Sequence, residues 1–346
     1  MPGVLRACGM SDTKKVPVLV TGGAGYIGSH AVLALRDAGW DVAVIDNLST
    51  GFAFAVPEGV PFYKGNIADP ALLERIFAEQ RIGAIMHFAG SVVVPESVEN
   101  PLKYYDNNTG KSRALIEAAI KGGVAHIIFS STAATYGVPE RSPVAEDAPK
   151  EPINPYGWSK LMTERMLADA SAAHPFNYGV LRYFNVAGAD PDGRTGQSTA
   201  GATHLIKVAC EAATGKRDAV SVFGTDYDTH DGTGVRDYIH VSDLAAAHVL
   251  ALEALIAQPQ HSFTMNCGYG RGFSVLEVLD AVDRVTNVRV ERRLESRRAG
   301  DPGELVSDPS RIRATLPWKP QHADLDTIIT HALQWERRLA EMQRTG

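Results

Sequence analysis

The stretch Val16-Pro17-Val18-Leu19-Val20-Thr21-Gly22-Gly23-Ala24-Gly25-Tyr26-Ile27-Gly28 decides the fold. A short β-branched run leads into three glycines spaced G-x-x-G-x-x-G. A helical pattern then runs from Ser29 to about Ala38, and Gly39 stops it. A second strand, Asp41 to Ile45, ends at Asp46. This order is a β-turn-α-β unit. Gly22, Gly25 and Gly28 permit a tight turn and let a pyrophosphate approach the backbone N–H groups that open the helix. The glycine spacing alone is a weak signal. Its place between strand and helix, with an acid closing the next strand, makes it a dinucleotide site. Asp46 can accept hydrogen bonds from ribose hydroxyls and would repel a 2′-phosphate. The following Asn47-Leu48-Ser49-Thr50 supplies no cation to hold one. The expected cofactor is therefore NAD rather than NADP.

Working outward, similar units recur. Gly83–Phe88, Ala125–Ser130 and Val180–Phe184 read as strands, and Asn108–Lys121 and Tyr156–Ala173 as helices. Strands alternating with helices imply a parallel sheet covered on both faces. The fold class is thus α/β, a Rossmann-like doubly wound sheet with a smaller C-terminal substrate-binding lobe. Residues 1–15 read as an extension and 16–187 as the NAD-binding domain. Residues 188–346 form most of the substrate lobe, with elements returning to the first domain from about 235–268. Gly188–Ala202 has no period and reads as a loop. Later helices are predicted at His204–Thr214, Val241–Ala257, Ser274–Thr286 and Leu325–Arg344.

The 346 residues are 45% hydrophobic and 21% charged, which is ordinary for a globular chain. A net charge of −6 argues against a nucleic-acid partner. Cys8, Cys210 and Cys267 have no metal-type spacing, and their odd number speaks against a disulfide framework. No apolar run approaches membrane-spanning length, and the first residues make a poor signal peptide. The cytoplasm is the expected location, with no membrane and no metal.

Tyr156 and Lys160 carry the chemistry. Four residues on a helix place both side chains on one face. A phenol normally keeps its proton to about pH 10, and a neighbouring ammonium favours the phenolate. The pair predicts a general base. Tyr-x-x-x-Lys also occurs by chance on solvated helix faces, and only the dinucleotide context lifts this one above that reading.

At this point the chain resembles the extended short-chain dehydrogenase/reductase family, and within it the UDP-hexose 4-epimerases. The matching pieces are Thr21–His30, Asp46-Asn47-Leu48, His87-Phe88-Ala89-Gly90, Pro101–Asn108 and Phe129–Thr132. They continue through Tyr136-Gly137, Pro155–Lys160, Arg182-Tyr183-Phe184-Asn185 and the long run Asp231–Val241. The glycine motif marks the superfamily, whereas Asp231–Val241 is far more specific. The resemblance implies Tyr156 as base, Lys160 as its partner and Thr132 as a hydrogen-bonding link to the sugar 4-hydroxyl. It implies an NAD site lined by Tyr26, Ile27, Asp46, Asn47, Asn66, Ile67, Phe88, Ala89, Asn107 and Tyr183. A UDP-sugar would be held by Asn185, His204, Leu205, Phe223, Arg236, Arg298, Asp301 and Leu305. Guanidinium forks suit a diphosphate, although Arg236 or Arg298 taken singly reads equally as an ion pair with a nearby aspartate. The implied reaction interconverts UDP-glucose and UDP-galactose through a 4-keto sugar.

The departures from the family pattern are specific. Asn66 stands where an aspartate near the adenine is common, and its amide oxygen can still accept. Val92 replaces a lysine found in some members. His204 replaces an asparagine, and a solvent-facing histidine at a helix start is the alternative reading. Leu305 stands where tyrosine or a smaller residue bounds the sugar 2-substituent, so N-acetylated or pentose UDP-sugars stay open as substrates. Ala133-Ala134 after Thr132 lack the acidic pair of dehydratases. A non-catalytic NAD-binding regulator would not need the intact Thr132, Tyr156 and Lys160 set. The family also implies a homodimer. Its contact would come from helices Asn108–Lys121 and Tyr156–Ala173, whose Leu115, Ile116, Met162, Met166 and Leu167 exceed what one sheet face requires.

Overall fold

The computed structural model describes residues 15–298 and 301–345. Its centre is a seven-stranded parallel sheet. In spatial order the strands are Phe263–Cys267, Asn177–Tyr183, His126–Thr132, Ala84–His87, Val18–Thr21, Val42–Asp46 and Phe62–Lys64. Val18–Thr21 pairs with Val42–Asp46 on one side and Ala84–His87 on the other, so Thr21 lies level with both Ile45 and His87. Strand order reverses there. The crevice beyond the carboxyl ends of these strands is where such sheets bind ligands.

The central strands read as continuous apolar runs because both faces are covered. Leu19, Ile45, Ile85, Ile127, Phe129 and Val180 face one helical layer, which supplies Leu73, Ile76, Leu115, Ile116 and Leu167. Val18, Val20, Val44, Met86, Ile128 and Leu181 face the other, with Val32 and Leu35 of helix Tyr26–Asp37 and Leu244, Ala251 and Leu255 of helix Val241–Ala257. Leu115, Ile116 and Leu167 are thus spent on the sheet. Of the five residues set aside for a subunit contact, only Met162 is exposed, and Met166 is half-buried.

The helix expected from Asn108 begins earlier. It runs through Pro101–Tyr104, widens into a π turn at Tyr105–Gly110 and continues as Lys111–Lys121. Such turns cluster at functional sites, and this one contains Asn107 and Asn108. Two further elements complete the first layer, strand Phe62–Lys64 and helix Pro70–Gln80. The Asp69 carboxylate caps that helix, and Arg81 ends it in the left-handed region.

The C-terminal half adds small sheets over the crevice. Val235–His240 pairs with Asn185–Ala187, Gly272–Ser274 and Glu304–Leu305. Val220–Phe223 pairs with Arg292–Glu295. Asn185, Phe223, Arg236 and Leu305 all lie on these strands.

Candidate active site

The glycine turn forms a tight cradle. Gly22 has φ +71°, and a Cβ there would lie 2.7 Å from the Ala89 nitrogen. A Cβ on Gly28 would meet the Gly22 carbonyl oxygen at 2.1 Å. Gly25 precedes helix Tyr26–Asp37 and offers no side-chain cap. The first-turn N–H groups are therefore free to take an anion. Asp46 accepts from the Ala24 N–H at 3.0 Å and the Leu48 N–H at 2.8 Å. Burial pushes its carboxyl pKa upward, with those two donors opposing. The carboxylate braces the turn and keeps further lone pairs for a ribose. A backbone this close to Ala89 and an uncapped helix start fit a dinucleotide pyrophosphate.

The cofactor-lining residues differ in what they present. The Tyr26 hydroxyl donates to the Gly188 carbonyl at 2.7 Å, away from the cradle, so its backbone N–H is what remains for a phosphate. Ile27 follows it in the same first helical turn. The Ile67 side chain packs into the core. The Asn66 oxygen accepts from the Ala68 N–H at 3.0 Å, and that of Asn47 from the Ser49 N–H at 2.9 Å. Phe88 lies 4.9 Å from the ring of buried His248, and the Tyr183 hydroxyl pairs with that of Ser130 at 2.6 Å. Asn107 donates to the Ser91 hydroxyl at 2.9 Å and accepts from Lys111 at 2.9 Å.

Tyr156 and Lys160 lie in the first turns of helix Pro155–Ala173, which the Asn154 side chain caps and Pro155 opens. Both are buried, as is Thr132 at the end of strand His126–Thr132. The Lys160 ammonium donates to the Ser130 carbonyl at 3.0 Å and sits 4.9 Å above the Phe129 ring. Burial pulls its pKa down to about 8, with Glu164 acting upward. The Tyr156 phenol is pushed up by burial, against a side-chain hydrogen bond with Thr132. This corrects the expectation from spacing. Burial holds the phenol above its ordinary value in the free protein, and the ammonium one turn away is directed at the Ser130 carbonyl and the Phe129 ring.

Over the crevice, the Arg236 guanidinium pairs with Asp301 at 2.5 Å and donates to the Val235 carbonyl at 2.9 Å. The Arg298 guanidinium lies 3.8 Å from the Phe223 ring centroid. His204 precedes helix Leu205–Ala213 without capping it, is open to solvent and meets the Gln197 amide at 2.9 Å. Leu205 is half-buried against the main core. Leu305 and Phe184 are half-buried beside Tyr136 and Val144. Asn185 is half-buried at the start of its strand.

Sequence reasoning passed over Ser130, Asn108 and Glu164. Asn108 bridges the Ser91 backbone and the Ser159 hydroxyl, locking the π turn to the catalytic helix. The one available signal was the polar pair Asn107-Asn108 in an otherwise helical stretch.

The family model described as the NAD dependent epimerase/dehydratase family matches residues 18–268. The chain belongs to that family. It is 57% identical over 324 residues to a UDP-glucose 4-epimerase of Azospirillum brasilense, covering 94% of this chain and 93% of that protein. The solved UDP-glucose 4-epimerase of Brucella ovis in complex with NAD superposes with a TM-score of 0.89 at 45% identity, covering 92% and 98% of the two chains. The UDP-Glc/GlcNAc 4-epimerase of Campylobacter jejuni gives 0.82 at 47% identity, covering 93% and 99%. The family match spans the glycine cradle, the Thr132, Tyr156 and Lys160 set, and Arg236.

Proposed function

We propose that this chain is an NAD-dependent isomerase that interconverts UDP-glucose and UDP-galactose at sugar C4. The observation that carries the reading is the buried set of Thr132, Tyr156 and Lys160, its ammonium fixed on the Ser130 carbonyl, beside a glycine cradle that excludes any side chain. Gly22, Gly25, Gly28 and Asp46 would hold the pyrophosphate and adenosine ribose, with Phe88, Asn107 and Tyr183 at the nicotinamide end. Bound NAD supplies a reversible acceptor for the C4 hydride. Tyr156 takes the proton of the sugar 4-hydroxyl, directly or through Thr132, and returns it to that oxygen once the 4-keto sugar has turned over and its C4 is reduced on the opposite face. Lys160 and Thr132 favour the phenolate against the burial that opposes it. Arg236, Arg298 and Phe223 grip the UDP, so affinity remote from C4 holds the 4-keto sugar while the ring turns over.

Leu305 supports a wider substrate range, because it bounds the sugar with an apolar side chain of moderate size. Partial tolerance of N-acetylated UDP-hexoses follows, since apolar contacts discriminate by only about 1–3 kcal/mol. The C. jejuni relative carries both sugars in its name. The chain works in the cytoplasm as a homodimer in this reading. The supporting surface is Val98, Leu102, Trp158 and Met162, all exposed and carried by helices Val94–Glu99, Pro101–Tyr104 and Pro155–Ala173. No helix among the described residues is long and apolar enough to cross a membrane. The test is incubation of the purified protein with UDP-galactose and NAD. Formation of UDP-glucose supports the assignment, and its absence with nucleotide bound overturns it.

A further inference from the structure

We propose that Glu164 is a positioning residue for the proton-transfer site: it ties the catalytic helix to the two strands beneath it and sustains the Lys160 ammonium. This rests on the reading of Tyr156 and Lys160 given above. Tyr156, Lys160 and Glu164 follow one another at four-residue spacing along helix Pro155–Ala173, on one stripe. The next carboxylate along a helix from a lysine usually faces water. Here it is buried, at 8% side-chain exposure, against Arg182 at 5%.

Its two oxygens are fully engaged. One accepts from the Ser131 hydroxyl at 2.6 Å and from Arg182 Nε at 2.9 Å, and the other from Arg182 Nη2 at 2.5 Å. Ser131 and Arg182 are directly paired across neighbouring strands. Ser131 also stands between the two residues the mechanism uses. The Ser130 carbonyl receives the Lys160 ammonium, and Thr132 acts on the buried Tyr156 phenol. The carboxylate therefore sets the height of the strand end against the helix, and with it the distance from Thr132 to Tyr156. Arg182 extends the brace to the Tyr136 hydroxyl at 3.0 Å, which donates to Asn266 at 2.7 Å.

Charge gives the second half of the argument. From its own helix Lys160 faces Tyr156 and Glu164. From the strands it meets the Ser130 carbonyl, the Phe129 ring and His87, and it shares the surroundings of Gly90 with Asn108 of the π turn. Two buried cations, Lys160 and Arg182, thus both lean on Glu164, with the half-buried Lys150 near the same pair and buried Glu146 further along the brace at Asn266. Burial already holds Lys160 near the working pH, and Glu164 is what opposes that pull.

The experiment compares Glu164→Gln, Ser131→Ala and the doubly neutral Glu164→Gln/Arg182→Met with the parent holoenzyme. The kcat–pH profile and thermal midpoint are measured for each. Glu164→Gln should move the alkaline limb of kcat toward acid by about one pH unit, as expected for loss of one nearby opposite charge. The double variant leaves no buried arginine uncompensated and should move the limb the same way. Ser131→Ala keeps the charge and should lower kcat about tenfold without moving the limb. Unmoved limbs in both Glu164 variants, with only the thermal midpoint changed, would reduce Glu164 to a structural ion pair. An equal limb shift in Ser131→Ala would equally overturn the proposal. Tyr156→Phe in the same assay separates the outcomes: if it stays active, the parent reading of the site has failed rather than this one.

Discussion

Lowering the pH should unfold this protein well before its carboxylates titrate, because His30, His87, His240 and His248 are held deeply buried in the neutral form. Burial pulls His30 and His248 down to about 4, His87 to about 3 and His240 to about 2. His30 and His248 each also carry a buried ring nitrogen without a hydrogen-bond partner. In the unfolded chain each imidazole titrates near pH 6.5. Between that value and the folded one, the unfolded chain binds the proton and the folded chain does not. Their contribution to stability is thus complete above pH 6.5 and is lost as pH falls to about 4 for His30 and His248, and further still for His87 and His240. At pH 5 each histidine costs up to about 2 kcal/mol, so four of them remove several kcal/mol of a total near 5–15. Asp46 and Asp237, whose pKa values burial raises, act in the opposite sense but only as the pH approaches the carboxylate range. Urea midpoints measured at half-unit steps from pH 7.5 to 4.5 should fall steeply below 6.5. A flat profile down to pH 5 would refute this account of the buried rings.

Tyr156→Phe keeps the ring that packs edge-on to Tyr104 and removes the hydroxyl, so the fold and bound nucleotide should survive while kcat falls about 10²–10⁴-fold; near-parent turnover would sink the assignment of the base. Leu305→Tyr should suppress activity on UDP-N-acetylgalactosamine relative to UDP-galactose, read as a kcat/KM ratio, and an unchanged ratio would show that Leu305 does not bound the sugar. Light scattering at micromolar concentration should give twice the chain mass, and Leu102→Glu, on the most exposed residue of the apolar surface, should halve it; a monomeric parent protein would refute the subunit contact.

The opening β-turn-α-β unit was legible because glycine spacing and apolar runs are local signals, and Asp46 closes its strand one residue beyond the predicted end. Helix Val241–Ala257 was read to the residue for the same reason. Other features depend on partners distant in the chain. The π turn at Tyr105–Gly110 is held by Asn108 reaching Ser91 and Ser159, which no helical period encodes. Glu164 looks like one more solvated helix acid until Arg182, eighteen residues on, is folded beneath it. The surplus of apolar residues assigned to a subunit contact was largely core, because only the packed sheet reveals how deep a layer Leu115 and Leu167 must fill. The direction of the Tyr156 shift was misread since spacing reports the neighbouring charge but not the loss of water around both groups.

The crevice keeps its arginines occupied before any ligand arrives. Arg236 rests on Asp301, and Arg298 on the face of Phe223. If these residues grip the UDP as proposed, capture of a nucleotide sugar is an exchange of partners: the diphosphate has to displace the Asp301 carboxylate, and the base has to displace the Arg298 guanidinium. The measured affinity is the difference between two sets of contacts, smaller than the new set alone. A turnover that ends with a product nearly identical to its substrate gains from this arrangement. The empty state competes for the same cations, so release is helped by the residues that made capture selective.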